Sequence, residues 1–311
     1  MSKTQQGILF SLAGTFCLAF EVIFVKICYE AGFDENSVLT FRFLLGGILF
    51  VILGLLAKQK LLLNRKQLLW ALPTVILYIL TARILYVGYH YLPSGTAVFF
   101  FFTYPIFTVL IEWLWQKEPF SKVKIIALVF SILGLLLFSF SSLGELNVLG
   151  VSCCLIAAIL QSFYLVTFVR FSAKTQASEF SFATTMLLVA AAILLLLHLG
   201  RQEIALPGAI SGWWPMLAIA AICTLLAVLL CTLGTSHAGA SISAIVFAMQ
   251  VPFAALLAFF FFGDRWVPLQ FIGAALLLLA VLFVNFAALK KQKETVKQND
   301  APDRNITATL E

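Results

Sequence analysis

Ten stretches of roughly 20 predominantly apolar residues follow one another along this chain, separated only by polar breaks, most of them short. A stretch of that length covers the hydrocarbon core of a bilayer as one α-helix. Only a helix or a closed barrel satisfies every backbone polar group where no water is present. The stretches lie near residues 7–28, 37–57, 70–91, 95–115, 123–142, 148–169, 180–199, 213–235, 239–262 and 267–288. Of the 311 residues, 62% are hydrophobic and 11% charged, whereas soluble domains average roughly 45–50% apolar and 25% charged. A single water-soluble core could not bury that excess. The expected fold class is an all-α integral membrane protein of ten transmembrane helices in a lipid bilayer.

The first stretch is too long for the apolar region of a cleavable leader and carries Glu21 and Lys26, so it reads as a span. Lysine and arginine set the orientation. Lys3, Lys58, Lys60, Arg65, Lys66, Lys117, Lys122, Lys124, Arg170 and Lys174 fall on one side, and Arg201 and Arg265 on the other. Positive residues gather on the cytoplasmic side, so both termini are expected there, with the chain multi-pass in a cell membrane, most simply a bacterial inner membrane. Residues 289–311, charged and poor in aromatics, read as a disordered cytoplasmic tail. The tail's Asn305-Ile306-Thr307 sequon then sits on the side away from glycosylation.

The net charge of +6 is spread over loops and tail, which argues against a nucleic-acid partner. Cys17, Cys28, Cys153, Cys154, Cys223 and Cys231 form no CxxC and have no neighbouring histidine, so neither disulfides nor a metal site are expected. There is no P-loop and no HExxH, and His90, His198 and His237 belong to different spans. No cofactor and no catalytic group are expected.

The two halves resemble each other. Gly7 opens the first span as Gly150 opens the sixth, and Tyr104-Pro105 of the fourth matches Gln250-Val251-Pro252 of the ninth after a one-residue slip. Glu118-Pro119 precedes Lys122-Val-Lys-Ile-Ile-Ala and Gly134, as Asp264-Arg265 precedes Pro268-Leu-Gln-Phe-Ile-Gly273-Ala. Five spans per unit, an odd number, insert the second unit upside down, and inverted repeats meeting at a midplane site suit alternating access. The units are expected at residues 1–145 and 146–288.

These residues, with Thr40-Phe-Arg42-Phe-Leu-Leu-Gly in the second span and Gly263-Asp264 before the tenth, resemble the EamA type of the drug/metabolite transporter superfamily over all but the tail. The seventh span departs from the pattern, since it carries no arginine equivalent to Arg42. The resemblance implies export or exchange of small metabolites such as amino acids, drugs, sugars or nucleotide-linked compounds. It also implies a central cavity lined chiefly by the third, fourth, eighth and ninth spans. A homodimer is one admissible assembly.

Ionisable residues inside a span cost about 2.5–3.5 kcal/mol on insertion scales and therefore mark function by default. Glu21, Arg42 and Arg83 fall in one layer, about 8–12 Å below the external end of their spans; Lys26 is shallower and can snorkel. Glu21 and Arg42 read as a structural or coupling pair, which leaves Arg83 to grip an anionic substrate group. With Glu21 so held, exchange or facilitated diffusion is simpler than proton antiport. Arg83, Tyr86 and His90, at i, i+3 and i+7, form one expected cavity face. Gln161, Tyr164 and Thr167 form another, with Thr167 equally able to bond between helices.

Pro105 and Pro252 each remove a backbone donor at corresponding positions, so helix breaks beside Tyr104 and Gln250 are expected at the binding region. Glu112 reads as interfacial, and the runs Phe99–Phe102 and Phe259–Phe262 as packing or lipid-facing. The chain is thus expected to be a secondary transporter of a small polar solute, an amino acid or related anion or zwitterion. A non-transporting helper subunit and an intramembrane enzyme are the weaker alternatives.

Overall fold

The computed structural model describes residues 2–92, 94–116, 122–140, 146–201, 205–263 and 265–299. Lys117, Glu118-Pro119, Asp264 and the tail from residue 300, its sequon included, lie outside the described residues. Among those described there is no strand, and ten helices are long and apolar enough to cross a membrane. They are Lys3–Glu30, Glu35–Leu56, Arg65–Tyr91, Thr96–Trp115, Lys122–Ser139, Val148–Thr175, Glu179–His198, Ile210–Ala238, Ala240–Phe262 and Pro268–Ala288. The protein is a multi-pass membrane protein.

Several helices begin where a polar side chain caps free backbone N–H groups rather than where the apolar run begins. Ser2 accepts from the Gln5 amide at 3.2 Å while Gln5 Oε1 accepts from the Ser2 amide at 3.0 Å, a reciprocal cap. Asn64 and Gln67 repeat the arrangement, so the third span starts at Arg65, several residues before the predicted position. At the other end the helix begun at Pro268 continues to Asn299. Residues 289–299, expected in a disordered tail, therefore extend the tenth helix. Their Lys, Gln and Glu content favours helix once a turn is already formed.

Each half contributes one member to every principal packing pair: first with eighth, sixth with third, second with seventh, and fifth with tenth. Exchanging the halves turns the first of these pairs into its counterpart and the last two into themselves. The close approaches obey the same exchange. A Cβ on Gly134 would stand 2.8 Å from the Gly273 carbonyl oxygen, and one on Gly273 would stand 2.6 Å from that of Gly134. Gly234 faces the carbonyl of Gly7 as Gly88 faces that of Gly150. The matched glycines of the sequence are thus the points where the two inverted five-helix repeats touch, backbone against backbone.

The spans bearing Pro105 and Pro252 are both broken, whereas the third span runs unbroken through Pro73. The fourth consists of helices Ser94–Phe101 and Tyr104–Gln116, the ninth of Ala240–Phe247 and Gln250–Phe262, with two-residue interruptions at Phe102-Thr103 and Ala248-Met249. A third irregularity was not expected. Within the eighth span Ile219–Leu226 is π-helical, which leaves carbonyls off the regular ladder.

Candidate functional site

The broken helices form the floor of a cavity of about 790 Å³ enclosed by both halves. Its mouth lies at the end carrying Lys26, Tyr29 and His90, all exposed, with Glu35 beside them. Midway down, Glu21 and Arg42 share one wall. Around the floor stand Tyr104, Tyr164, Gln161 and Gln250, with Tyr78, Phe101, Phe102 and Phe168 completing an aromatic lining. Tyr78 and Tyr164 meet at 5.3 Å between ring centroids, and Phe101 and Tyr104 at 5.4 Å. The hydroxyl of Ser162 donates to the Tyr104 carbonyl at 2.8 Å, tying the fourth-span break to the sixth span.

Arg42 is held by three bonds to the protein. Its Nη1 is ion-paired with Glu21 Oε1, its Nε donates to Thr224 Oγ1 at 3.2 Å, and its Nη2 reaches the Cys223 carbonyl at 3.4 Å. Both latter partners belong to the π-helical stretch, where a carbonyl off the regular ladder can accept from a side chain. The Arg42 side chain is 9% exposed and that of Glu21 19%. Glu21 opens a helical segment, Glu21–Glu30, where a negative charge is favoured. Its second oxygen, Oε2, has no donor among the described residues, and Glu21 and Arg42 both line the cavity. This wall therefore carries a carboxylate oriented by an arginine.

Beyond the floor the protein is shut. Glu112, two helical turns past Tyr104, is only 6% exposed and holds the start of the ninth span. It accepts from the Ser241 amide at 3.1 Å, from the Ser241 hydroxyl, and from Lys124 Nζ at 3.3 Å. The ninth span begins at Gly239, at φ +88°, which has no side chain to cap it. Glu112 supplies that cap from the fourth span, so the two broken helices are bonded at the end opposite the mouth.

The expected lining residues Tyr86, His90, Tyr104, Gln161, Tyr164 and Gln250 all line this cavity, and so does the pair expected to be structural or coupling, Glu21 and Arg42. Arg83 does not. Its Nη1 donates to Asn36 at 2.8 Å and to His198 Nε2 at 3.2 Å, and His198 Nδ1 meets the Thr40 hydroxyl at 2.7 Å. The lining stripe of the third span centres on Ala82, Leu85 and Tyr89, and Arg83 stands roughly 125° from that centre at 100° per residue. The face expected from Arg83, Tyr86 and His90 was one edge of the true stripe. Three further readings are corrected: Glu112 is buried and bonded rather than interfacial; Phe101 and Phe102 line the cavity; and Thr167 bonds back to its own helix at Phe163 and Tyr164. The third, fourth, eighth and ninth spans supply just over half of the lining, and the first, second, sixth and seventh the rest.

A family model described as the EamA-like transporter family matches residues 5–140 and again 148–286. An uncharacterized transporter of Synechocystis sp., sll1319, is 28% identical over 233 residues, 72% of this chain and 68% of that protein. The uncharacterized transporter YvbV of Bacillus subtilis is 29% identical over 119 residues, 38% of this chain and 39% of that protein. One crystal structure of another protein matches with a TM-score of 0.78 at 15% identity, over 92% of this chain and 98% of its own. At that identity the likeness shows the fold alone.

Proposed function

The chain belongs to the EamA-like transporter family, and from that premise we propose that it is a secondary carrier of a small zwitterion bearing a free ammonium group, working by alternating access. The observation carrying the reading is a cavity between the halves, open at one end and bonded shut at the other by Glu112 and Ser241, with its floor at two matched helix breaks. Such an arrangement is one of the two end states of a carrier, and the inverted repeat supplies the other by exchanging the roles of the halves.

Glu21 is the proposed ammonium site, through Oε2, and Arg42 fixes its direction. The negative end of the substrate would meet Lys26 and the tyrosine hydroxyls of Tyr86 and Tyr89. Charges along the wall balance, with Glu21 and Glu35 against Arg42 and Lys26, which suits a zwitterion better than a free anion. The aromatic floor suits the apolar body of the same molecule. Each chain encloses a whole cavity, so transport does not require a second copy. In the proposed topology the mouth faces outward in a cell inner membrane, with both termini and the Glu112 end on the cytoplasmic side. The carrier would work as an exporter or exchanger.

Thermal-shift titration of detergent-solubilised protein with amino acids, their N-acetyl derivatives and their decarboxylated amines tests the site. Amino acids should stabilise and N-acetyl derivatives should not. Saturable, ATP-independent flux of the stabilising solute should then appear in liposomes and vanish in the Glu21→Gln/Arg42→Gln double variant, which leaves no charge unpaired. Equal stabilisation by N-acetyl derivatives would overturn the ammonium assignment.

A further inference from the structure

A second concavity lies on the outer, lipid-facing surface between the third, fourth and sixth spans. It is a groove of about 480 Å³ with Leu69, Leu72, Ile76 and Leu77 on one wall and Trp115 and Phe163 on the other. The third-span residues follow one helical stripe, which from Leu69 to Leu77 runs about 12 Å, most of the roughly 15 Å depth of one leaflet. At the end nearer Leu69 the surface turns basic. Arg170 lies with Cζ 4.3 Å from the centroid of the Trp115 ring, and Lys174 with Nζ 3.5 Å from that of Trp70. Phe163, Thr167, Arg170 and Lys174 occupy i, i+4, i+7 and i+11 of the sixth span, one face. Arg65 and Lys66 are exposed one turn before Leu69 and Trp70. Groove and basic patch are therefore one continuous strip.

Ordinary interfacial anchoring sends a lysine or arginine head out toward water. Here two cations are laid against indole rings, Arg170 on Trp115 of the groove wall and Lys174 on Trp70 beside it. Arg170 donates one N–H, from Nη2, to the Trp115 carbonyl at 3.0 Å; a guanidinium carries five such donors. Ion pairs among the described residues are Glu21–Arg42 and Glu112–Lys124, so no described carboxylate lies within 4.0 Å of Arg170 or Lys174. A ligand that fits must join an apolar tail to an anionic head, with the head at the depth of the phosphate layer. We propose that this strip binds an anionic phospholipid of the adjacent leaflet, with an acyl chain in the groove and the phosphate on Arg170 and Lys174. In the topology proposed above that is the cytoplasmic leaflet, where anionic lipids attract basic clusters.

The test is lipid retention by the full chain in detergent, read by native mass spectrometry, with phosphatidylglycerol and phosphatidylcholine of the same acyl chains. Phosphatidylglycerol should be retained more tightly. Each lost charge should weaken it about fivefold, the equivalent of about 1 kcal/mol, and Arg170→Gln/Lys174→Gln by about 25-fold. Should the double variant not purify, Lys174→Gln alone, at an exposed position, should still show the fivefold loss. Ile76→Trp, which fills the groove, should lower retention of both lipids. Equal retention of the two lipids by the wild type, or an undiminished preference in either charge variant, would overturn the proposal. So would equal competition by water-soluble glycerol phosphate, which would make this a free-phosphate site. None of these readouts involves transport, so the result stands apart from the carrier reading.

Discussion

Replacing Glu112 with glutamine keeps the length of the side chain but removes its charge and one acceptor oxygen. The carboxylate accepts three hydrogen bonds, two from Ser241 and one from Lys124. With its oxygen kept on the Ser241 amide, the side chain turns an NH₂ toward Lys124 and toward the Ser241 hydroxyl, which must reverse to accept. Hydrogen bonds to a charged group contribute about 1.5–3 kcal/mol each, and Lys124 is partly solvated, so the loss concentrated at Ser241 is about 2 kcal/mol. If the bond exists only while this end is shut, that energy moves the equilibrium between end states about 30-fold toward opening here. Thr108, one turn nearer the cavity and fully buried, reports the opening. In a cysteine-free background, Thr108→Cys should react with a membrane-impermeant maleimide from the Glu112 side about 30-fold faster when Glu112→Gln is added. Ser241→Ala, which keeps the amide bond, should act more weakly, and Lys124→Gln more weakly still. Unchanged labelling in a folded Glu112→Gln protein would refute the idea that this bond holds the end closed.

Arg83→Gln should lower thermal stability by about 1–3 kcal/mol through loss of its bonds to Asn36 and His198. Flux per folded molecule should nevertheless stay near wild type; abolished flux in a stable protein would return Arg83 to the substrate. Gly134→Ala should destabilise by about 1–3 kcal/mol, because its Cβ would stand 2.8 Å from a backbone oxygen that cannot swing aside. Gly208→Ala, with nothing within 4 Å, should be neutral in the same melt. Phe101→Ala should enlarge the floor and weaken binding of the solute found by thermal shift by about tenfold or more, as loss of a buried aromatic contact requires. Phe260→Ala, on the exposed run, should leave that affinity unchanged.

The architecture was readable because lipid imposes a one-dimensional rule: an apolar run of sufficient length must be a span. Depth also follows from counting residues, which is why Glu21 and Arg42 could be set in one layer and paired. The helix breaks were legible for the same reason, since a proline acts through its own missing N–H. Helix starts were less so. Ser2, Asn64 and Asn147 lie outside the apolar windows, and only their reach to amides two or three residues on reveals them as caps.

Rotation about the helix axis is what depth does not give. Arg83 sits at the right level and is still turned away, because the third span presents Ala82, Leu85 and Tyr89 to the cavity, and two of those three carry no charge or hydrogen bond to announce themselves. Arg42 looked like the partner of one acid; its further bonds go to Thr224 and to a carbonyl freed by a π-helical stretch that no composition signals. Glu112 was judged by its distance from the span end, when its environment is decided by a helix start more than a hundred residues later. In each case the charge was seen correctly and at least one of its partners was not, because that partner is a backbone group on the other repeat or a neutral side chain on another span. An intramembrane charge in such a chain is therefore best assigned by asking which broken or π-helical segment faces it, and only afterwards whether a substrate does.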